Sequence, residues 1–390
     1  MKSMKILVIG GSGILSSAVV DGCLDKGYEV TMMNRGSNTA YTNPKAHLII
    51  CDARNAEQVH EKTSGMHFDV VVDFIVYNLE QLEMSLSLFG NIANQYVFIS
   101  SAQVYNTNQN KVLEETDETP QPLWSYSVNK DKCEKYLRTY CEKHHINYTI
   151  IRPGVNYDNR RIPYGMYPEI GKHWTMVARV LAGKPIITWN HGQNKLNLTR
   201  VEDFARGLVG LLGNEKTYKE SFNVVGDYIY TWQEVLDTLG ELIHKPVMSV
   251  DLPCELYAKE LKLGDREMLL GGRACDLVCS NMKLKSVVPD YHSEIDLKEG
   301  ISKSLEWYKA NNYYQGFDYR WDAEQDRIIK KINAKTYRMG YMAYSKEGWI
   351  DALTNRCNYM VEYHKDDKFN VLFWKCVRAF ICKPLKRLNK

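Results

Sequence analysis

Tyr126 and Lys130 stand four positions apart at the start of an amphipathic stretch, Tyr126 to His145. Residues i and i+4 share one helix face, so a phenol and an ammonium would lie side by side. A free phenol titrates near pH 10, too high for a base at neutrality. A neighbouring cation favours phenolate and draws the pKa towards the working range, as proton transfer requires. The pattern Tyr-x-x-x-Lys occurs twice, and in a chain with 26 tyrosines it is expected to arise by chance. The other occurrence, Tyr41 and Lys45, contains Pro44, which argues against a helix presenting both side chains. Placement therefore carries the inference. Tyr126 lies 25 residues after Ser101, in the run Ser100-Ser101-Ala102-Gln103-Val104-Tyr105. The plainer alternative for Tyr126 and Lys130 is a surface pair on a helix.

The elements that would position these groups are legible upstream. Lys5–Ile9 is a short continuous apolar run, the mark of a strand buried on both faces of a parallel sheet. Ile14, Leu15, Ala18, Val19, Gly22 and Cys23 then recur at helical spacing, and Gly27 ends that helix. Further strands are predicted at Tyr28–Met33, His47–Ile50, Asp69–Phe74 and Tyr96–Ile99, with a helix carrying Leu79, Leu82, Leu86 and Phe89. Strands alternating with helices predict an α/β fold with a doubly wound parallel sheet of the Rossmann kind.

Between the first strand and first helix lies Gly10-x-x-Gly13-x-x-Ser16. Glycine at 10 permits a tight turn, and glycine at 13 lets backbone approach a pyrophosphate, which the helix N-terminus then stabilises. Ser16 replaces the usual third glycine and is small enough to be tolerated. The alternative is a glycine-rich loop with no ligand. The second strand ends in Met33-Asn34-Arg35-Gly36, without the acid that would bind the ribose hydroxyls of NAD. A guanidinium suits the 2′-phosphate of NADP, so NADP is preferred to NAD, with a solvated Arg35 as the bland reading. Asp52, after the third strand, is placed to hold the adenine amino group or to cap the next turn.

With these pieces in order, the chain resembles the extended short-chain dehydrogenase/reductases, specifically the NAD-dependent epimerase/dehydratase family. The likeness rests on Gly10-Gly11-Ser12-Gly13-Ile14-Leu15, Ser101-Ala102-Gln103-Val104-Tyr105, Tyr126-Ser127-Val128-Asn129-Lys130, Ile151-Arg152-Pro153-Gly154-Val155-Asn156-Tyr157 and Arg200-Val201-Glu202-Asp203-Phe204-Ala205. It covers roughly residues 1 to 245, and more weakly to about 330. The resemblance implies Ser101, Tyr126 and Lys130 as the catalytic set. Ser101 would donate to the substrate oxygen, Tyr126 exchange the proton, and Lys130 bind the nicotinamide ribose. It further implies that Gly10, Ser12, Gly13, Ile14, Leu15, Asn34, Arg35, Asp52, Phe74, Ser100 and Pro153 serve the dinucleotide. The substrate implied is a nucleotide-sugar, met by Asn156, Arg160, Arg161 and Arg200, with aromatic residues of 156–195 stacking its base. Family members that dehydrate sugars carry an Asp-Glu pair where this chain has Ala102 and Gln103, so epimerisation or carbonyl reduction is expected instead. Pairing into a homodimer through the helix of Tyr126 is a further implication. The chloroplast stem-loop RNA-binding proteins resemble the same family, so a non-catalytic dinucleotide-binding regulator or RNA-binding protein is the alternative.

At 390 residues the chain suggests a dinucleotide core over 1–155 completed by parts of 196–245, a substrate lobe over 156–195 and 246–330, and a tail over 331–390. Ten scattered cysteines without a Cys-x-x-Cys pair read as reduced thiols in a cytoplasmic protein, with no metal site. The body to residue 330 has 37 Lys/Arg against 42 Asp/Glu, which gives no footprint for nucleic acid. The tail has 13 against 5. Within it, Phe369, Leu372, Phe373, Cys376 and Phe380 fall on one helical face. That face could contact an anionic membrane, dock a partner, or pack on its own domain, the plainest of the three.

Overall fold

The computed structural model describes residues 3–36, 41–107, 111–262, 266–332, 338–346 and 348–388. The chain forms two compact units. The first comprises Met1–Asp158, Lys195–Tyr230 and Cys275–Asp296, and the second Asn159–Asn194, Thr231–Ala274 and Leu297–Lys390. The tail therefore belongs to the second unit, and part of the expected substrate-lobe range, Cys275–Asp296, belongs to the first.

The first unit is built on β1 (Lys5–Ile9), β2 (Glu29–Asn34), β3 (His47–Ile50), β4 (Phe68–Asp73), β5 (Ala93–Ile99), β6 (Tyr148–Pro153), β7 (Val155–Tyr157), β9 (Lys195–Arg200) and β10 (Glu220–Val224). β8 (Ile186–Trp189) and β12 (Ser249–Leu252) belong to the second unit, and β11 (Ile229–Thr231) lies where the chain passes between the two. Seven strands form one sheet in the order β10-β6-β5-β4-β1-β2-β3, the doubly wound arrangement the alternation predicts. β1 shows why such strands read as unbroken apolar runs. Ile6 and Val8 enter one core, with Val19 and Cys23 of α1 (Ile14–Asp25) and Phe204 and Leu208 of α6 (Val201–Leu211). Leu7 and Ile9 enter the other, with Val59 of α2 (Ala56–Thr63), Leu82 and Leu86 of α3 (Leu79–Phe89) and Leu137 of α4 (Ser125–Lys143). A period of two is sorted into two layers, with no polar face left over.

Side-chain caps open α2, α3 and the helix that begins at Trp232. Asn55 accepts from the Gln58 N–H before α2, and Asn78 from the Gln81 N–H before α3. In the second unit, Thr231 and Glu234 form a reciprocal capping box at α7 (Trp232–Leu242). α5 (Trp174–Leu181) and β8 pack there on the helix Tyr319–Ile332, which the sequence left without a role. A fully buried ion cluster fixes the arrangement. Arg179 lies 2.6 Å from Asp322 and 2.7 Å from Asp326, and Lys184 lies 2.8 and 2.7 Å from the same carboxylates. Tyr359, on the helix Trp349–Tyr363, donates to Asp326 at 2.6 Å. The ten cysteines are free thiols, and among the described residues no helix is long and apolar enough to cross a membrane.

Removing one member of a balanced buried cluster strands the opposite charge. Arg179→Met should lower stability by about 3–5 kcal/mol in urea unfolding followed by tryptophan fluorescence. A loss below about 1 kcal/mol would show that the cluster does not hold this unit together.

Candidate active site

The carboxyl ends of β1, β4 and β5 lie along one edge of the parallel sheet, and the first unit's chemistry-bearing residues gather there. Gly10 follows β1 with φ of +79°, and a Cβ at that position would collide with the Ile75 side chain. Gly13 is exposed, while Ser12, Ile14 and Leu15 are half-buried around it. The departure at Ser16 proves constructive. Its hydroxyl donates to the Gly10 carbonyl at 2.6 Å and accepts from the Gly13 N–H at 2.8 Å, so the third position ties the turn together.

At the end of β2, Asn34 accepts from the Gly36 N–H at 2.9 Å, while its buried Nδ2 has no hydrogen-bond partner. Arg35 is exposed. Asp52 accepts from the Arg54 N–H at 3.0 Å, the turn-capping role, and the Arg54 guanidinium reaches the Ile75 carbonyl. Phe74 donates its N–H to the Ile9 carbonyl. Beside these residues is a small crevice bordered by Ala53, Arg54, Ile75, Val76, Gln81 and Met84. A turn where only hydrogen fits and an orphaned amide donor at the end of β2 suit a dinucleotide's phosphates and ribose.

Ser101, just beyond β5, caps a short 3-10 turn over Ala102–Val104, its hydroxyl accepting from the Gln103 N–H at 3.1 Å. Tyr126 opens α4, partly exposed, with its ring 5.1 Å from that of Trp124. Ser127 accepts from the Gln121 N–H and donates to the Val104 carbonyl, fastening the first turn of α4 to the turn that follows Ser101. Lys130 is buried. Its Nζ donates to the Val76 carbonyl at 2.6 Å and the Ile99 carbonyl at 2.8 Å, and lies 5.9 Å from the Tyr126 ring centroid. The structure thus brings Ser101, Tyr126 and Lys130 into one neighbourhood around the end of β5. Ala102 and Gln103 are both buried, and neither is an acid.

Other expected residues have different partners. The Ser100 hydroxyl donates to Glu134 at 2.6 Å, and Glu134 receives Arg152 in a forked pair at 3.0 and 2.6 Å. Ser100 therefore braces α4 against β5 and β6. Arg152 also donates to Tyr105 and to the Glu115 carbonyl. Reading the sequence missed this network, although a charge inside the apolar run of β6 was the available signal. Pro153 is buried at the end of β6, and Asn156 donates to the Gly154 carbonyl. Arg200 is buried, stacks over Tyr157 and makes a forked pair with Glu202 at 2.9 and 2.6 Å.

In the second unit, the Arg160 backbone accepts from Tyr308, and the Arg161 guanidinium lies 5.6 Å from the Tyr167 ring centroid. The aromatic residues of this stretch mostly fill a core. Tyr164 packs with Trp189 and Trp232, and Trp174 with Tyr308 and Tyr313. Burial pushes His173 down to about 3, so it is a neutral core residue at ordinary pH.

Comparison with known proteins adds context to this geometry. Residues 6–225 match the profile described as the NAD dependent epimerase/dehydratase family. The chain is 27% identical over 313 residues to chloroplast stem-loop binding protein of 41 kDa b from Arabidopsis thaliana, covering 77% of this chain and 78% of that one. It is 24% identical over 338 residues to a putative UDP-glucose 4-epimerase of Methanocaldococcus jannaschii, covering 79% and 99%. Its fold matches UDP-glucuronic acid 4-epimerase of Bacillus cereus, solved in complex with UDP-glucuronic acid and NAD. The TM-score there is 0.63 at 19% identity, over 79% of this chain and 99% of that one.

Burial holds the Lys130 ammonium at about 8 against an ordinary 10.5. Between those values the unfolded chain binds more protons, so the cost of burying the charge is full below pH 8 and fades as pH rises. The stability gap between the protein and Lys130→Met should move in the parent's favour by roughly 2–3 kcal/mol from pH 8 to 10.5. A gap independent of pH, by urea unfolding, would mean that Lys130 is not protonated in this way.

Proposed function

The chain belongs to the NAD dependent epimerase/dehydratase family, and on that premise we propose that it is an NAD(P)-dependent epimerase or reductase acting on a nucleotide-sugar. The observation that carries the reading is Lys130, held by the Ile99 carbonyl two residues before Ser101 and close to the Tyr126 ring.

The dinucleotide, when bound, supplies the hydride acceptor and donor. Gly10, Ser12 and Gly13 would receive its phosphates at the start of α1, and Asn34 and Arg35 its adenosine ribose. Tyr126 would hold the proton exchanged with the substrate hydroxyl or carbonyl oxygen, and Ser101 would orient that oxygen by donating to it. The Lys130 ammonium favours the phenolate form of Tyr126, and its third N–H would serve the nicotinamide ribose. Ala102 and Gln103 offer no general acid to expel a hydroxyl, so the residues present support epimerisation or reduction over dehydration. Asn156, Arg160 and Arg161 are the candidate contacts to the nucleotide-sugar. An epimerase would regenerate its dinucleotide, whereas a reductase would consume it.

The chloroplast relative favours a second reading, in which the chain binds a dinucleotide and RNA without turnover. The acidic balance up to residue 330 weighs against it.

Two measurements test the proposal. Across a panel of nucleotide-sugars, with and without added dinucleotide, Tyr126→Phe should lower kcat by about 10²–10⁴-fold. An unchanged rate would overturn the assignment, and an RNA mobility shift without turnover would favour the second reading. For cofactor choice, NADP should bind more tightly than NAD, and Arg35→Ala should weaken NADP about tenfold while sparing NAD, by titration of intrinsic fluorescence. Equal losses for both would assign Arg35 no part in the choice.

A further inference from the structure

The C-terminal helical segment has two faces with opposite fates. It runs as an α-helix over Lys368–Val377, a π-turn over Arg378–Cys382 and a last α-helical turn over Lys383–Leu388. Pro384 lacks an N–H and crowds the preceding turn, which accounts for the widening just before it. One face packs on the helix Trp349–Tyr363. Trp374 meets the Arg356 guanidinium at 5.8 Å, Cys382 lies 3.9 Å from Cys357, and Arg378 donates to Asn358. The other face carries Phe369, Leu372, Phe373, Cys376, Phe380 and Ile381, all exposed, with Phe369 at 79% and Phe380 at 78%. Packing on its own domain, the plainest expectation for these side chains, is therefore not what the structure shows. The segment docks through its other side.

Three phenylalanines in water on one helix are costly, and such a patch marks a contact surface. Its electrostatics identify the occupant. From Lys368 to Lys390 the sequence has seven Lys/Arg and no Asp or Glu. Lys368, Lys375 and Lys383 are exposed, and Lys386 pairs with Asp351 at the surface. A second copy would oppose two basic segments, whereas an anionic lipid surface would neutralise the charges and take up the aromatic rings. We propose that this segment lies on an anionic membrane surface, its Phe369–Phe380 face entering the headgroup boundary and its lysines meeting lipid phosphates. The second unit would thereby be tethered at a bilayer by an interfacial helix, which goes beyond the chemistry proposed above and does not rest on it.

The test is co-sedimentation of the full-length protein with vesicles of phosphatidylcholine alone or with 30% phosphatidylglycerol (roughly a physiological anionic fraction). Partition onto the anionic vesicles should exceed that onto neutral ones about tenfold and fall several-fold in about 0.5 M NaCl. The triple variant F369S/F373S/F380S should lose at least about tenfold of the partition with an unchanged thermal unfolding curve, since all three side chains are exposed. Equal partition of the variant, indifference to lipid charge, or no binding by the parent would each overturn the proposal. So would a concentration-dependent dimer without lipid that the triple variant abolishes, because the face would then belong to a second copy.

Discussion

A buried ammonium between two backbone carbonyls is the constraint around which the first unit is arranged. Lys130 reaches from α4 to the carbonyls of Ile99, at the end of β5, and Val76, beyond the end of β4. Parallel strands place their carboxyl ends on one edge, so carbonyls there need donors from outside the sheet. Burial makes the charge expensive, and the two acceptors with the nearby rings of Tyr77, Phe98 and Tyr126 offset part of that cost. One side chain thereby fixes the depth of α4 and, with it, the position of the phenol one turn earlier.

Neighbouring contacts make that position rigid. Ser127 fastens the start of α4 to the loop after Ser101, and Glu134 receives both Ser100 and Arg152 one turn beyond Lys130. The helix is thus held at three successive levels, by Val104 at Ser127, by Val76 and Ile99 at Lys130, and by Ser100 and Arg152 at Glu134. A proton-transfer group gains from such support, because a displacement of about 1 Å can cost a hundredfold in rate.

How much of this could be read from the chain depended on the range of the interaction. The alternation of strands and helices, the glycine turn and the pairing of Tyr126 with Lys130 are local patterns, and the sheet order follows from them. In the sequence Ser16 is only a residue small enough to be tolerated, because its hydrogen bonds to Gly10 and Gly13 exist only once the turn is folded. Arg152 and Glu134 lie on different elements with no spacing to link them, so their pair was invisible. The same holds for Arg179 and Lys184 against Asp322 and Asp326. Tyr164, Trp174 and His173 go the other way: the family resemblance implies a base-stacking surface in this stretch, and packing gives these three to a core. Arg200 found its partner two residues away in Glu202, a pairing the sequence displayed without distinguishing it from a substrate contact.

The buried cluster of two cations and two carboxylates has a consequence for how freely this chain can be cut or exchanged. Because Tyr359 donates a hydrogen bond to Asp326 from a helix beyond Lys346, the cluster's hydrogen bonding is completed by residues that an alignment to shorter relatives would treat as an appendage. A chimaera joined near Ile332 would open that dry cluster to water on one side. The seam between modules in this chain is therefore set by solvation, some distance from where a length comparison would draw it.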